Sequence, residues 1–256
     1  MAHLGGLRVF PVKGLDGIDL DRAAILEGGT LEHDREFALF DAEEEVLNGK
    51  RTDRVHDLRT AFDRASGTLV VDPPDGGVRR FDLDADRERA EAFFGEFFGL
   101  DLTMERDTSL GYVDRREMGP SVVSTATLRT VASWFDGMAV EGARRRLRAN
   151  VEVSGVPAFW EDRFVGEDAP AFEVGDVRFE GVTPCGRCVV PQRDPDTGEP
   201  IEAFRERFLE RRRESFPDWA DEEAFDHLYS VMIITRIPEA DRNGSLSVGD
   251  PVAVLD

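Results

Sequence analysis

Hydrophobic and polar positions alternate in short runs through the first hundred residues, and glycine, proline or aspartate ends each run. This spacing predicts strands at residues 7–12, 17–20, 23–26 and 36–40, and Val46–Lys50 carries a turn signal at Asn48-Gly49. Residues 67–72 and 77–82 read as a hairpin around Pro73-Pro74-Asp75-Gly76. The period then changes. Ala90, Phe93, Phe94 and Phe97 share one face of a helix over 86–98, and Leu128, Val131, Ala132 and Phe135 share one face of a helix over 125–136 that Ser124 can cap. Strands return at 147–154, as a pair within 172–182 around Gly175-Asp176, at 231–235, and as two short runs in 245–255 around Gly249-Asp250-Pro251. A third helix, amphipathic and heavily charged, is predicted at 201–213. Many short strands with few helices predict a mainly β protein with flanking helices (α+β), built as a small barrel or sandwich. The pattern weakens and charge rises over 99–116, which predicts two parts, 1–105 and 106–256.

A chain of 256 residues has ample length to bury a core. No apolar run approaches the ~20 residues that span a bilayer, and Met1–Phe10 carries no secretory pattern, so a cytoplasmic location is expected. The formal net charge is -21, a field that disfavours nucleic acid and anionic membrane as partners. Lys13 and Lys50 are the only lysines; all other basic side chains are arginine. Acidic excess with so little lysine resembles proteins adapted to high salt, where screening makes surface repulsion tolerable.

The chemistry-bearing segment is Thr183-Pro184-Cys185-Gly186-Arg187-Cys188, in a loop after a strand. Arg187 beside Cys188 favours a thiolate, the form that binds soft metals. A disulfide, a redox dithiol, half a zinc site, a single thiolate ligand and a pair of buried small apolar groups all remain open. Zinc would need two further ligands, and His3, His33, His56 and His227 are scattered without metal-site spacing. A thioredoxin-like dithiol would need a βαβ setting that the pattern lacks. Other residues point to an anion site. Lys13-Gly14 follows the first strand, where glycine lets backbone approach a ligand. Asp34 can orient the Arg35 fork. Arg148 and Asn150 fall on one side of the predicted strand, and arginine suits bidentate phosphate contact.

Together these runs resemble the MOSC family with its N-terminal β-barrel module, an arrangement shared by mitochondrial amidoxime-reducing components and bacterial YcbX-type proteins. The resemblance rests on Phe10-Pro11-Val12-Lys13-Gly14, then Gly29, Asp34-Arg35, the region of Lys50-Arg51, Leu147–Val151, Glu161-Asp162, Val174-Gly175-Asp176, Cys185–Cys188 with Asp194-Pro195-Asp196-Thr197-Gly198, and Val248–Val252. It implies an N-terminal β-barrel module followed by a MOSC β-barrel domain, with a molybdenum cofactor (molybdopterin) in the cleft between them. It assigns Cys188 as metal ligand and catalytic residue. Lys13, Arg35 and Arg148 would hold the pterin and its phosphate; Gly14, Asn150, Gly186 and Arg187 would line the site. The implied activity is reduction of N-hydroxylated small molecules. The chain lacks a dinucleotide fingerprint and spare cysteines for an iron–sulfur cluster, so electrons would come from a separate ferredoxin or flavin reductase. The alternative is a cofactor or sulfur carrier using a Cys188 persulfide. The chain departs from the family pattern at Gly14 and Gly186, where the family has serine, and at Met232, which stands near the place of a tyrosine. Residues 104–121 match poorly.

Overall fold

In the computed structural model, which describes residues 1–255, the elements run β1 (His3–Val9), β2 (Ile18–Leu20), β3 (Arg22–Ala24), β4 (Phe37–Asp41), β5 (Arg59–Asp63), β6 (Thr68–Asp72), β7 (Arg79–Asp82), α1 (Arg87–Phe98) and β8 (Leu102–Arg106). There follow β9 (Ser121–Ser124), α2 (Thr125–Ser133), α3 (Val140–Leu147), β10 (Val151–Ser154), β11 (Phe172–Val174), β12 (Val177–Gly186), α4 (Phe204–Glu214), β13 (Ser230–Arg236), β14 (Ser245–Ser247) and β15 (Val252–Val254).

Eight strands form one sheet in the order β15-β11-β12-β13-β9-β10-β1-β2. The run before β15 reaches β1 as well: His3 bridges Pro251, Leu4 N–H donates to Asp250 O (2.8 Å), and Val252 N–H donates to Ala2 O (3.1 Å). The two ends of the curled sheet therefore meet at the start of β1, whose later residues Leu7–Val9 pair with β2. Closure satisfies strand edges that would otherwise be open to pairing. Inside are Leu4, Leu7, Val9, Val151, Val153, Phe164, Phe172, Phe179 and Ile233, all buried. Each such side chain contributes about 1.5–3 kcal/mol by leaving water.

Residues 12–104 carry a second core. The β5-β6-β7 meander, the β4-β8 pair and α1 surround Leu39, Leu69, Val71, Phe81, Ala90, Phe94 and Met104. The third core packs α2, α3 and α4 through Phe135 stacked on Phe204 (centroids 4.3 Å apart) and Phe208 edge-on to Tyr229 (5.2 Å). Ser124 caps α2, its hydroxyl accepting from Thr127 N–H at 3.0 Å, as the sequence predicts. Among the described residues no helix is long and apolar enough to cross a membrane.

Several elements differ from the pattern-based expectation. The strand expected over 147–154 begins only at Val151, because Leu147 ends α3 and Arg148 turns the chain in the left-handed region (φ 57°). The turn signalled at Asn48-Gly49 does form: Val46 bridges Phe40, and Asn48 Oδ1 then accepts from Lys50 N–H (2.9 Å). Strands β5, β8 and β9 and helix α3 were not legible. β8 pairs along its length with β4, which ties residues 102–106 to the N-terminal part.

Candidate functional site

A cavity of about 690 Å³ opens where the two parts meet. Cys188, Lys13, Gly14, Arg35, Arg148, Asn150, Gly186 and Arg187, chosen from the sequence as site residues, all line it. Ten lining residues are arginine or lysine and four are aspartate or glutamate, and both lysines of the chain are among the ten. In a protein of net charge -21, this concentrates positive potential at one concave place.

Local chain geometry aims the basic groups. Asp34 accepts the Phe10 N–H (3.0 Å) and pairs with the Arg35 guanidinium, fixing that fork as the sequence predicts. Arg35 and Arg148 both adopt left-handed backbone (φ 56° and 57°), a conformation costly for residues with a Cβ. Both guanidiniums lie over the Phe10 ring, 5.0 and 3.9 Å from its centroid. Arg148 donates to Leu15 O (2.8 Å) and has no carboxylate partner among the described residues. Burial, then repulsion from Arg35, pushes its pKa down to about 9. Phe10 supplies a cation–π contact in place of a counter-ion. Lys13 donates to Tyr112 O (2.7 Å) and pairs with Asp114 (2.7 Å), which Lys50 also engages (2.8 Å). Burial opposes ionisation of Asp114, but these two ammonium groups overcome it and hold the carboxyl well below the usual range. Gly14 takes φ 93°, which strains any residue with a side chain, and a Cβ there would crowd the Asn48 backbone at 3.0 Å.

The cysteine loop leaves β12 at a bulge. Pro184 pairs with Ile233 and Gly186 with Ser230, so Cys185 alone opposes Val231 and Met232, and Met232 takes φ 63° to absorb the mismatch. Both cysteines are free thiols. The Arg187 guanidinium, next to Cys188 in sequence, donates to Cys185 Sγ (3.1 Å), Leu147 O (3.0 Å) and Met232 Sδ (3.7 Å). Cys185 also packs against the third core. Gly186 has space filled by His227, whose ring would lie 3.2 Å from an added Cβ. Asn150 departs from the sequence expectation. It lies outside any strand, its Oδ1 accepting from Ser121 N–H and hydroxyl (3.1 and 3.0 Å) and its amide donating to Arg8 O (3.1 Å). It braces the cavity floor. Among the described residues no group of three or more His, Cys, Asp or Glu could hold a metal ion, which leaves the half-zinc reading without partners.

Three supports were missed as functional residues. Buried Arg146 pairs with Asp194 (2.8 Å) and donates to Arg193 O, while Asp194 Oδ1 accepts from Asp196 and Thr197 N–H. The Asp-Pro-Asp-Thr-Gly run thus clamps the loop carrying Cys188 onto α3. His56 also lines the cavity. Beneath the bulge, fully buried Arg212 pairs with Asp162, donates to Ser230 O (3.2 Å) and lies 4.3 Å from the Phe159 ring centroid. The helical charge pattern of α4 gave no sign that one arginine points inward.

Glu161, beside this pair, is fully buried, and burial followed by the neighbouring Asp162 raises its pKa to about 7. The unfolded chain releases this proton near pH ~4.5 and the folded chain only near 7. Folding stability carried by Glu161 should therefore fall as pH rises through that window, by about 3 kcal/mol, and level off above it. Glu161→Gln should flatten this slope. Urea unfolding of both proteins at about pH 5 and 8 checks it; equal slopes would refute the assignment.

Residues 1–106 match the MOSC N-terminal beta barrel domain and residues 118–253 match the MOSC domain. The chain belongs to the MOSC family, with an N-terminal β-barrel module followed by a MOSC domain. It is 34% identical over 111 residues to mitochondrial amidoxime reducing component 2 of Rattus norvegicus, which covers 41% of this chain and 28% of that protein. The Bos taurus protein of the same name is 32% identical over 111 residues with the same shares. The molybdenum cofactor sulfurase of Oryza sativa subsp. japonica is 20% identical over 250 residues, covering 78% of this chain and 29% of that protein. The chain thus spans under a third of the curated relatives it matches. A solved YUAD protein from Bacillus subtilis aligns over 98% of this chain and 93% of its own at 15% identity and a TM-score of 0.39.

Proposed function

We propose that this chain binds a molybdenum cofactor in the cavity through Cys188 and reduces N-hydroxylated small molecules with electrons from a separate ferredoxin or flavin reductase. The observation that carries the reading is one concave site holding a free thiol and a guanidinium, Arg148, without a carboxylate partner. The donor set fits the group. A soft thiolate suits the metal, and Arg148, Arg35 and Lys13 suit a phosphate. Buried Arg187 Nε has no hydrogen-bond partner and leaves a donor for a further oxygen. When bound, the cofactor supplies a metal that cycles between oxidation states and accepts an oxygen atom from nitrogen.

The chain's own residues do the rest. Arg148 and Arg35, stiffened by Phe10 and Asp34, orient the anionic end. Arg146 and Asp194 hold the Cys188 loop at a fixed distance from α3. Reduction of an N-hydroxyl compound to the amine consumes two electrons and two protons and releases water, so a proton route to the cavity is also required. Cofactor-loaded protein given an amidoxime and reduced ferredoxin or a flavin reductase is expected to yield the amidine. Bound molybdenum with no such product under any donor, a chemical reductant included, would refute the activity.

The span of the rice sulfurase match, wider than that of the amidoxime reducing components, supports a second reading as a sulfur carrier. A persulfide on Cys188 in metal-free protein would favour it.

A further inference from the structure

His56 lies on a short 3-10 turn, Asp53–Asp57, in the N-terminal module. Two close approaches fix its surroundings. A Cβ on Gly49 would lie 3.8 Å from His56 Nε2 and 3.2 Å from Val190 Cγ2; one on Gly198 would lie 3.5 Å from His56 Cβ. The imidazole is therefore wedged between the Asn48 turn and the loop that follows Cys188. It lines the cavity, and Nε2 is buried with no hydrogen-bond partner. Such an atom costs about 1–3 kcal/mol unless a partner arrives.

The charges around it are mostly positive. Arg193 comes from the Cys188 loop, Arg146 from α3 and Arg148 from its C-terminal cap; Asp16, before β2, is the opposing carboxylate among the strongest influences. On its own turn, Asp53 is taken by Arg193 (3.3 Å) and Asp57 is exposed. Burial and the guanidiniums lower the His56 pKa and keep the ring neutral. An incoming anion would offset the guanidiniums by its charge and compensate the burial by accepting a hydrogen bond.

We propose that His56 forms a proton-coupled oxyanion subsite at the seam of the two parts, taking up a proton and donating it as an Nε2–H hydrogen bond when an oxyanion enters the cavity. This rests on the reading of the cavity as an anion-binding site and adds the proton to it. Two oxyanions share this chemistry, the cofactor's phosphate and a substrate carboxylate or other oxygen anion.

Sulfate is the probe, because it keeps its charge across the pH range. Cofactor-free protein is titrated with sulfate at constant ionic strength, read by calorimetry and by the imidazole proton resonances of the four histidines. Saturating sulfate should raise the His56 pKa by about one unit, and sulfate should bind about three- to sevenfold tighter at about pH 5.5 than at pH 8. His56→Gln should still bind sulfate, with less than about a twofold change over the same range. A His56 resonance indifferent to sulfate, or an unchanged pH dependence in the variant, would overturn the proposal. The wild-type resonance is a test even if the variant misfolds. In cofactor-loaded protein, a shift caused by loading alone assigns the oxyanion to the cofactor. A further shift on adding acetate assigns it to substrate. Either keeps the subsite. Sulfate-coupled protonation without molybdenum uptake would sink the proposed function and leave this inference standing; molybdenum uptake with a silent His56 would do the reverse.

Discussion

Cys188→Ala is expected to lower bound molybdenum to less than about a tenth of the wild-type content after cofactor loading, read by elemental analysis of desalted protein. The reason is the donor inventory. The sequence holds two sulfhydryls, and no cluster of His, Cys, Asp or Glu among the described residues offers an alternative metal site. Cys185 cannot readily substitute, since its sulfur is held by the Arg187 guanidinium and packs toward the helical core. Cys185→Ala should retain more than about half of the metal, with some loss as the Arg187 contact goes. Equal loss in the two variants would show that the loop acts as a dithiol, and full retention in Cys188→Ala would remove the thiolate from the account.

Arg148→Gln should move stability and anion affinity in opposite directions. A guanidinium with no carboxylate partner, lying over Phe10 and near Arg35, is a charge held out of water without full compensation. Neutralising it should stabilise the cofactor-free fold by about 1–3 kcal/mol at neutral pH, after allowance for the solvent that still reaches the cavity. The same change should weaken sulfate or phosphate binding by roughly 30- to 100-fold, because a charge-assisted donor is lost. Urea unfolding and calorimetry on the same two proteins check both signs. A variant that is less stable and binds anion normally would mean that Arg148 is a structural clamp on Leu15 and nothing more.

Particular residues show what the sequence made legible. Ser124 caps α2 because a hydroxyl before an apolar helical face has one strong local use. Asp34 fixes Arg35 because adjacent opposite charges entering a buried strand have few other partners. Strands were readable where one face is buried and the period of two is clean, as in β6 of the meander and β10 of the large sheet. β9 hid because all four of its residues are buried, so no alternation marks it. The strand expected at 147–154 failed at its start because Arg148 turns through left-handed backbone, which sequence pattern rarely betrays in a residue other than glycine. The Arg187 contact with Cys185 is hidden from the sequence for a similar reason. A bulge at Cys185, absorbed by Met232, re-aims side chains by one position, and only the paired strand reveals it. His56 was overlooked because its neighbours are Gly49, Val190 and Gly198, distant in sequence and silent about charge.

The central assignment is tested most directly by locating the heavy atom. In crystals of cofactor-loaded protein, anomalous difference density at the molybdenum edge should give one strong peak within metal–sulfur bonding distance of Cys188 Sγ, with phosphate density beside Arg148. A peak bonded to Cys185, or one outside this cavity, would contradict the account.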